Sequence, residues 1–162
     1  MNRILIVGRG SAGKSTFAKA LGKKLSLPVY HLDQHFWKAG WEHHEDIHAI
    51  HSKLIAKDKW IIEGSTEYLE ERAERADLCI VLALPPHKTI PNWLGRLWKY
   101  RGVSRPDIAK GNVEKFNLEY IRWQLDWKSN KRKIKRLRAV CPAQKLIILK
   151  SRKQFKKYLA GL

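Results

Sequence analysis

The sequence predicts a three-layer α/β fold, a five-stranded parallel sheet wrapped by helices. Three observations carry that prediction. Short apolar runs alternate with segments of helical spacing along all 162 residues. The run 77–84 is apolar almost throughout, as suits a strand covered by helices on both faces. The first apolar run passes directly through a glycine-rich stretch into a helical segment, and strand–crossover–strand units of this kind build parallel sheets.

The first strand is Ile4-Leu5-Ile6-Val7. Behind it, Gly8, Gly13, Lys14 and Ser15 satisfy the pattern G-x-x-x-x-G-K-[ST] between a strand and a helix. Glycines let the backbone wrap closely around phosphates, and its N–H groups then form an anion nest. A helix starting near Lys14 and running to about Leu25 adds its positive dipole end. Gly8, Gly10, Ser11, Ala12, Gly13, Lys14, Ser15 and Thr16 are therefore candidate contacts to a nucleotide. In such a loop the lysine reaches the β/γ-phosphates and the Ser15 hydroxyl holds Mg²⁺. The competing reading is a glycine-rich turn with no ligand.

Pro28 restarts the chain, and the second strand, residues 29–32, ends on Asp33. Ligands of open α/β sheets sit at the carboxyl ends of strands, so Asp33 is expected beside the glycine-rich loop. Its alternative is an N-cap for the next turn. Residues 34–41 hold Phe36, Trp37 and Trp41, rings that either line a pocket or pack a helix onto the sheet. Residues 42–57 have helical spacing with Ile47, Ile50, Leu54 and Ile55 on one side. Within them, His44/His48 and His48/His51 are one turn apart. Without a third ligand they read as a solvated polar face before a metal site.

The third strand, residues 60–62, ends in Glu63-Gly64-Ser65-Thr66, again an acid at a strand end. Glu63 and Gly64 are candidates for the acceptor side, and Glu63 also for the water shell of Mg²⁺. The alternative for Glu63 is an acid satisfied by a helix N-terminus. A short charged helix follows over 67–75, then the fourth strand, stopped by Pro85-Pro86. Residues 89–100 read as a helix with Trp93, Leu94, Leu97 and Trp98 inward. Arg101 to Asp107 reads as a loop bracketed by arginines. Residues 113–138 read as helical, with a stripe of Phe116, Tyr120, Trp123, Trp127, Ile134 and Leu137 and a break at Ser129-Asn130. The last strand is 145–149. Ser151-Arg152 opens the final helix, 153–159.

The formal net charge is +18, which favours acidic partners such as nucleotides, nucleic acid or an anionic surface without choosing among them. Between Pro86 and Arg138, fifteen Lys/Arg face four acids, a local net charge of +11. No apolar run approaches the roughly 20 residues that span a bilayer, and the N-terminus goes straight into a strand. Cys79 and Cys141 sit among apolar neighbours and read as reduced, packed thiols, so a cytoplasmic protein is expected. There is no internal repeat or low-complexity linker, so residues 1–162 are expected to form one domain.

The glycine-rich loop with Lys14, His31-Leu32-Asp33 with Trp37 four residues on, Trp60-Ile61-Ile62-Glu63-Gly64, and Tyr100-Arg101-Gly102 to Arg105-Pro106 follow one pattern. Over essentially the whole chain it resembles the small P-loop kinase-like proteins called DNA topology modulation proteins, relatives of adenylate kinase. The resemblance implies an adenylate-kinase-like fold with a short lid at about 101–112. Arg101 and Arg105 would close on ATP phosphates, Arg96 is a further candidate, and Arg152 would lie near the adenine. The family's strand end reads Asp-Gly-Asn-Tyr where this chain has Glu63-Gly64-Ser65-Thr66, a departure at the acceptor contacts.

The expected activity is transfer of the γ-phosphoryl of Mg-ATP to a small acceptor, a nucleoside or nucleoside monophosphate. Lys14, Asp33, Arg101 and Arg105 would be catalytic, and Asp33, Trp37, Glu63 and Gly64 would face the acceptor. The alternative from a different class is a nucleotide-gated DNA-binding protein. It draws on the basic charge but lacks a helix-turn-helix, zinc or RNA-binding motif. A regulatory GTPase fares worst, because Asn130-Lys131 lacks the Asp that a guanine-specificity motif needs two residues later.

Overall fold

Ile4, Leu5, Ile6 and Val7 are almost completely buried, with Leu5 and Val7 on one face of the sheet and Ile4 and Ile6 on the other. A strand buried on both faces can only be central. In the computed structural model, which describes residues 1–162, these residues form β1 (Arg3–Gly8) at the middle of the sheet. The other strands are β2 (Val29–His31), β3 (Trp60–Glu63), β4 (Leu78–Leu82) and β5 (Leu146–Leu149). All pair in parallel, in the order β2-β3-β1-β4-β5. The register sets Ile4 against Ile61 on one side and Leu78 on the other.

The helices are α1 (Lys14–Leu25), α2 (Leu32–His35), α3 (Ile47–Ile55), α4 (Leu69–Arg75), α5 (Pro86–Lys99), α6 (Leu118–Leu125), α7 (Ser129–Val140) and α8 (Arg152–Ala160). One face of the sheet is covered by α1 and α8, which contribute Phe17, Ala18, Leu21 and Phe155 to its core. The other is covered by α2, α3, α4 and α7 through Leu32, Leu54, Ile55, Leu69, Ala73 and Leu137. Each large apolar side chain among them, fully buried, contributes about 1.5–3 kcal/mol. Side-chain caps start several helices. Asp46 Oδ1 accepts from Ala49 N–H, Asn117 Oδ1 from Glu119 and Tyr120 N–H, and Ser151 Oγ from Gln154 N–H.

Four expectations need correcting. The second strand stops at His31, and Asp33 lies in the first turn of α2. Residues 113–117 are not helical, and the break in the long helical segment falls at 126–128, with Ser129 opening α7. The aromatic stripe is not a core: Phe116 is 62 % exposed, Trp123 48 % and Trp127 61 %. On α5, Trp93 is buried, but Leu94 and Trp98 face outward. The physical reason is shared. Both segments run past the carboxyl edge of the sheet: Trp93, Phe116 and Trp123 line a cavity there, and Leu94, Trp98 and Trp127 have no strand to pack against.

The histidine-bearing helix is shorter than expected and not a solvated face throughout. His51 is fully buried, stacked on Tyr68 with ring centroids 4.9 Å apart. Cys79 on β4 and Cys141 after α7 are both buried and unbonded, with their Sγ atoms 3.5 Å apart.

Candidate active site

The carboxyl ends of β1, β2 and β3 open onto a cavity of about 1420 Å³, enough for a nucleotide and a second molecule. Its floor is the loop between β1 and α1. Gly8, Gly10, Ser11, Gly13, Lys14, Ser15 and Thr16 line it, whereas Ala12 turns inward and packs in the core. Lys14 Nζ donates to the carbonyl of Arg9 at 3.3 Å, closing the loop on itself. Tyr120, Trp123 and Gln124 of α6 press so closely on Gly10 that a side chain there would have to displace theirs.

The second strand lies two places from the first, with β3 between them, and this ordering brings three polar side chains together. Ser15 Oγ donates to Glu63 Oε1 at 2.8 Å, and the same oxygen meets His31 Nδ1 at 2.7 Å. Glu63 and His31 are both nearly fully buried. Burial pushes the Glu63 carboxyl up. The His31 hydrogen bond, the Lys14 charge and the Ser15 hydroxyl outweigh it and hold the group below the usual carboxylate range.

Asp33 has the opposite fate. Burial pushes its carboxyl up, Glu63 and Asp107 add to the effect, and Lys14 and Arg105 only partly offset it. The neighbouring turn permits its position. Gly64, at φ 116°, lies so close to Leu32 that a Cβ would stand 3.2 Å from the Leu32 Cβ and 3.6 Å from Asp33 Oδ1.

The segment 105–114 folds back over this end of the cavity. Arg105 is 9 % exposed, and its guanidinium bonds Asp107 at 2.8 Å and Glu114 at 3.2 Å. Arg96 takes both oxygens of Glu114, at 2.8 and 2.6 Å. The resemblance implies that Arg101 and Arg105 close on phosphates, with Arg96 a further candidate; here Arg105 and Arg96 are engaged with carboxylates. Arg101 is exposed and does not line the cavity. Asn112, fully buried, donates to the Lys38 carbonyl at 2.8 Å and accepts from Trp41 N–H at 2.7 Å. Trp37 lines the cavity, edge-on to Trp41 at 5.8 Å and against His43 at 3.9 Å. At the opposite end Arg152 bonds Asn92 at 2.7 Å, and Asn92 bonds the Ser11 carbonyl at 3.1 Å.

Three participants escape sequence reasoning. Arg9 stands at a free position of the loop pattern, yet it is 1 % exposed and donates to the carbonyls of Gln124 and, at 2.7 Å, Asp126. Lys133, within the basic run of α7, is buried and lines the cavity. Asp107 closes a loop that draws attention only to its arginines. It sits between Arg105 and the Ser15 hydroxyl, which together hold its carboxyl low against the upward push of burial. Asn130, the start of the discarded guanine motif, instead bonds the Leu84 carbonyl at 3.1 Å.

No group of three or more His, Cys, Asp or Glu residues is arranged to hold a metal by itself. Mg²⁺ takes oxygen ligands, keeps several waters and is completed by substrate phosphates. The Ser15 hydroxyl, with the ionised Glu63 and Asp107 carboxylates beside it to accept from metal-bound water, fits such an ion.

No protein-family model and no curated protein matches the sequence. Solved structures do match its fold. The shikimate kinase of Acinetobacter baumannii, in complex with shikimate, aligns at a TM-score of 0.63 and 14 % identity, over 99 % of this chain and 90 % of that one. A gluconokinase from Sinorhizobium meliloti 1021 aligns at 0.58 and 14 %, over 99 % and 90 %. The deoxyadenosine kinase of M. mycoides with bound dCTP aligns at 0.52 and 14 %, over 98 % and 97 %. The chain has the α/β fold of the P-loop kinases, with a five-stranded all-parallel sheet.

Proposed function

We propose that this chain is a small-molecule kinase that moves the γ-phosphoryl of Mg-ATP to a hydroxyl of a small acceptor. The observation that carries the reading is Asp33, a carboxylate with a raised pKa in one cavity with Lys14 and the phosphate-binding loop. A carboxylate whose pKa is raised by burial is a stronger base toward a hydroxyl proton. Asp33 accepts that proton, the acceptor oxygen bonds to the γ-phosphorus, and the bond to the β-bridging oxygen breaks to leave ADP. Lys14 and the N–H groups of the loop stabilise the charge on the phosphoryl oxygens. Ser15 would hold Mg²⁺ and Glu63 would order its water, and the ion would supply positive charge against the phosphates. Arg152 and Asn92 mark the adenine end.

The acceptor end offers Asp33 with Trp37, Trp41 and His43, while both nearby guanidiniums are paired with carboxylates. This supports an uncharged hydroxylated acceptor with a flat face, a nucleoside, ahead of a nucleoside monophosphate. The test is ATP consumption with Mg²⁺ against nucleosides, nucleoside monophosphates and hydroxylated acids. Turnover dependent on one acceptor, lost in Asp33→Asn while ATP still binds, supports the reading. ATP binding without acceptor-dependent turnover anywhere overturns it.

One observation favours the second reading, nucleic-acid binding gated by nucleotide, to which the effect on DNA topology implied by the resemblance belongs. Trp127 is exposed, with Lys128 and Lys131 ammonium groups 5.9 and 5.0 Å from its ring centroid. Exposed rings among lysines suit stacked bases and phosphates. Single-stranded DNA should then quench tryptophan fluorescence in wild type but not in Trp127→Ala, with an affinity that falls steeply with salt.

A further inference from the structure

Lys133 is the buried member of a basic run whose other cations, Lys131, Arg132, Lys135, Arg136 and Arg138, are more accessible to solvent. Its Nζ makes one hydrogen bond, to Ser129 Oγ at 2.6 Å, which leaves two of its three donors unused. No carboxylate pairs with it. The charged groups around it are Lys14 from α1, Arg9 from the phosphate-binding loop, Arg132 from α7 and Asp126 from the α6–α7 connection. The one acid of that set is already ion-paired with Arg132. On its remaining side the ammonium lies 6.0 Å from the Trp123 ring centroid, and the residue lines the cavity beside Lys14.

A buried ammonium without a counter-ion, placed among three further cations, is costly unless something anionic completes the site. Snorkelling does not explain it, because a snorkelling lysine brings its charge to bulk water and this one points into the cavity. Its position is also fixed on both sides. Asn130 ties the first turn of α7 to the Leu84 carbonyl, and Arg9 ties the loop to the chain just before α7.

We propose that Lys133 is a second phosphate-binding lysine, reaching the polyphosphate of the nucleotide from α7 opposite Lys14. The inference rests on the reading that the cavity holds a nucleoside triphosphate, and it adds a phosphate ligand that the loop pattern does not contain. Burial, then Lys14 and Arg9, lower the Lys133 pKa to about 8. A bound polyphosphate lifts it again, so binding takes up a proton above pH 8 and affinity falls as pH rises from there.

The experiment is calorimetric titration of wild type, Lys133→Met and Lys133→Arg with Mg-ATP, inorganic tripolyphosphate and adenosine. Removing an ammonium–phosphate hydrogen bond without replacing it weakens binding about tenfold to a hundredfold. That weakening is expected for Mg-ATP and tripolyphosphate in Lys133→Met, with adenosine affinity unchanged and Lys133→Arg close to wild type. Repeating the wild-type titration at about pH 8.5 in buffers of different ionisation enthalpy should show proton uptake, which stands even if the Met variant fails to fold. Unchanged Mg-ATP affinity in Lys133→Met, or equal losses for adenosine and ATP, overturns the proposal. Wild type that binds neither ATP nor tripolyphosphate overturns the kinase reading itself, a distinct result.

Discussion

Ser15 Oγ donates to Glu63 Oε1 across 2.8 Å, joining the first residue after the loop lysine to the last residue of β3. The bond exists because β3, not β2, lies beside β1, with Ile6 in register with Glu63. It fixes the hydroxyl expected to hold Mg²⁺ and keeps an ionised carboxylate beside it. Glu63→Gln keeps the shape and removes the charge. Outer groups around a metal are worth about tenfold to a hundredfold in metal affinity. Glu63→Gln should therefore raise the Mg²⁺ concentration for half-maximal turnover by about that factor, with nucleotide affinity in EDTA nearly unchanged. A Mg²⁺ titration of both proteins checks it.

Asn112 holds the segment 105–114 against the turn at Ala39–Trp41 through two hydrogen bonds, to the Lys38 carbonyl and from Trp41 N–H. Both partners are backbone groups, and Asn112 is fully buried. Asn112→Ala removes both bonds and leaves a part-buried donor and acceptor to re-pair with water, a loss of about 1 kcal/mol per bond. The expected outcome is a local loosening: cleavage by trypsin at Lys110 or Lys115 should accelerate more than global unfolding does. Equal cleavage rates in wild type and variant would refute the latch.

Much of this is readable in the sequence alone. The glycine-rich loop and Glu63 are legible because each sits at the end of an apolar run, and ligands of parallel sheets gather at strand ends. Asp33 is legible in place but not in setting, since the helical turn that carries it starts one residue before it, at Leu32. Strand order is not legible, because inserting β3 between β1 and β2 is a long-range pairing with no local signal. Lys133 is hidden for a different reason. Which lysine of a basic run turns inward depends on the phase of α7. The break that sets this phase falls at 126–128, ahead of the Ser129-Asn130 position that the spacing suggests. Arg9 is hidden because the loop pattern leaves its position free.

Arg9 links the phosphate-binding loop to the far side of the cavity. Its guanidinium donates to the Gln124 and Asp126 carbonyls, and its Nε has no partner. Burial lowers its pKa, with Asp126 opposing and Arg132 assisting. Arg9→Met fills similar space without charge but strands two carbonyls, which costs about 1–3 kcal/mol apiece. The variant should melt at lower temperature and bind Mg-ATP more weakly, with the loss of ATP affinity exceeding any loss for adenosine. Equal affinity would show that the loop holds its shape without this strut.

His51 should make the fold sensitive to acid. It is fully buried against Tyr68, and neither ring nitrogen has a hydrogen-bond partner. Arg72 and His48 lie close by, and the half-exposed Glu71 carboxylate stands 3.6 Å from Nδ1, beyond hydrogen-bond reach. Burial, with smaller contributions from Arg72 and His48, lowers the His51 pKa from 6.5 to about 4. The unfolded chain therefore takes up a proton near pH 6.5 that the folded chain refuses until about pH 4. Between those values the unfolded state binds more protons, so stability falls as pH falls, by at most about 3 kcal/mol, and the dependence ends below the folded pKa. His51→Leu removes the proton site and leaves no polar atom stranded on the histidine's side. Chemical denaturation of the two proteins at about pH 7.5 and about pH 4.5 checks this. The wild type should lose about 2–3 kcal/mol more than the variant over that interval, and parallel losses would show that His51 is already protonated in the folded state.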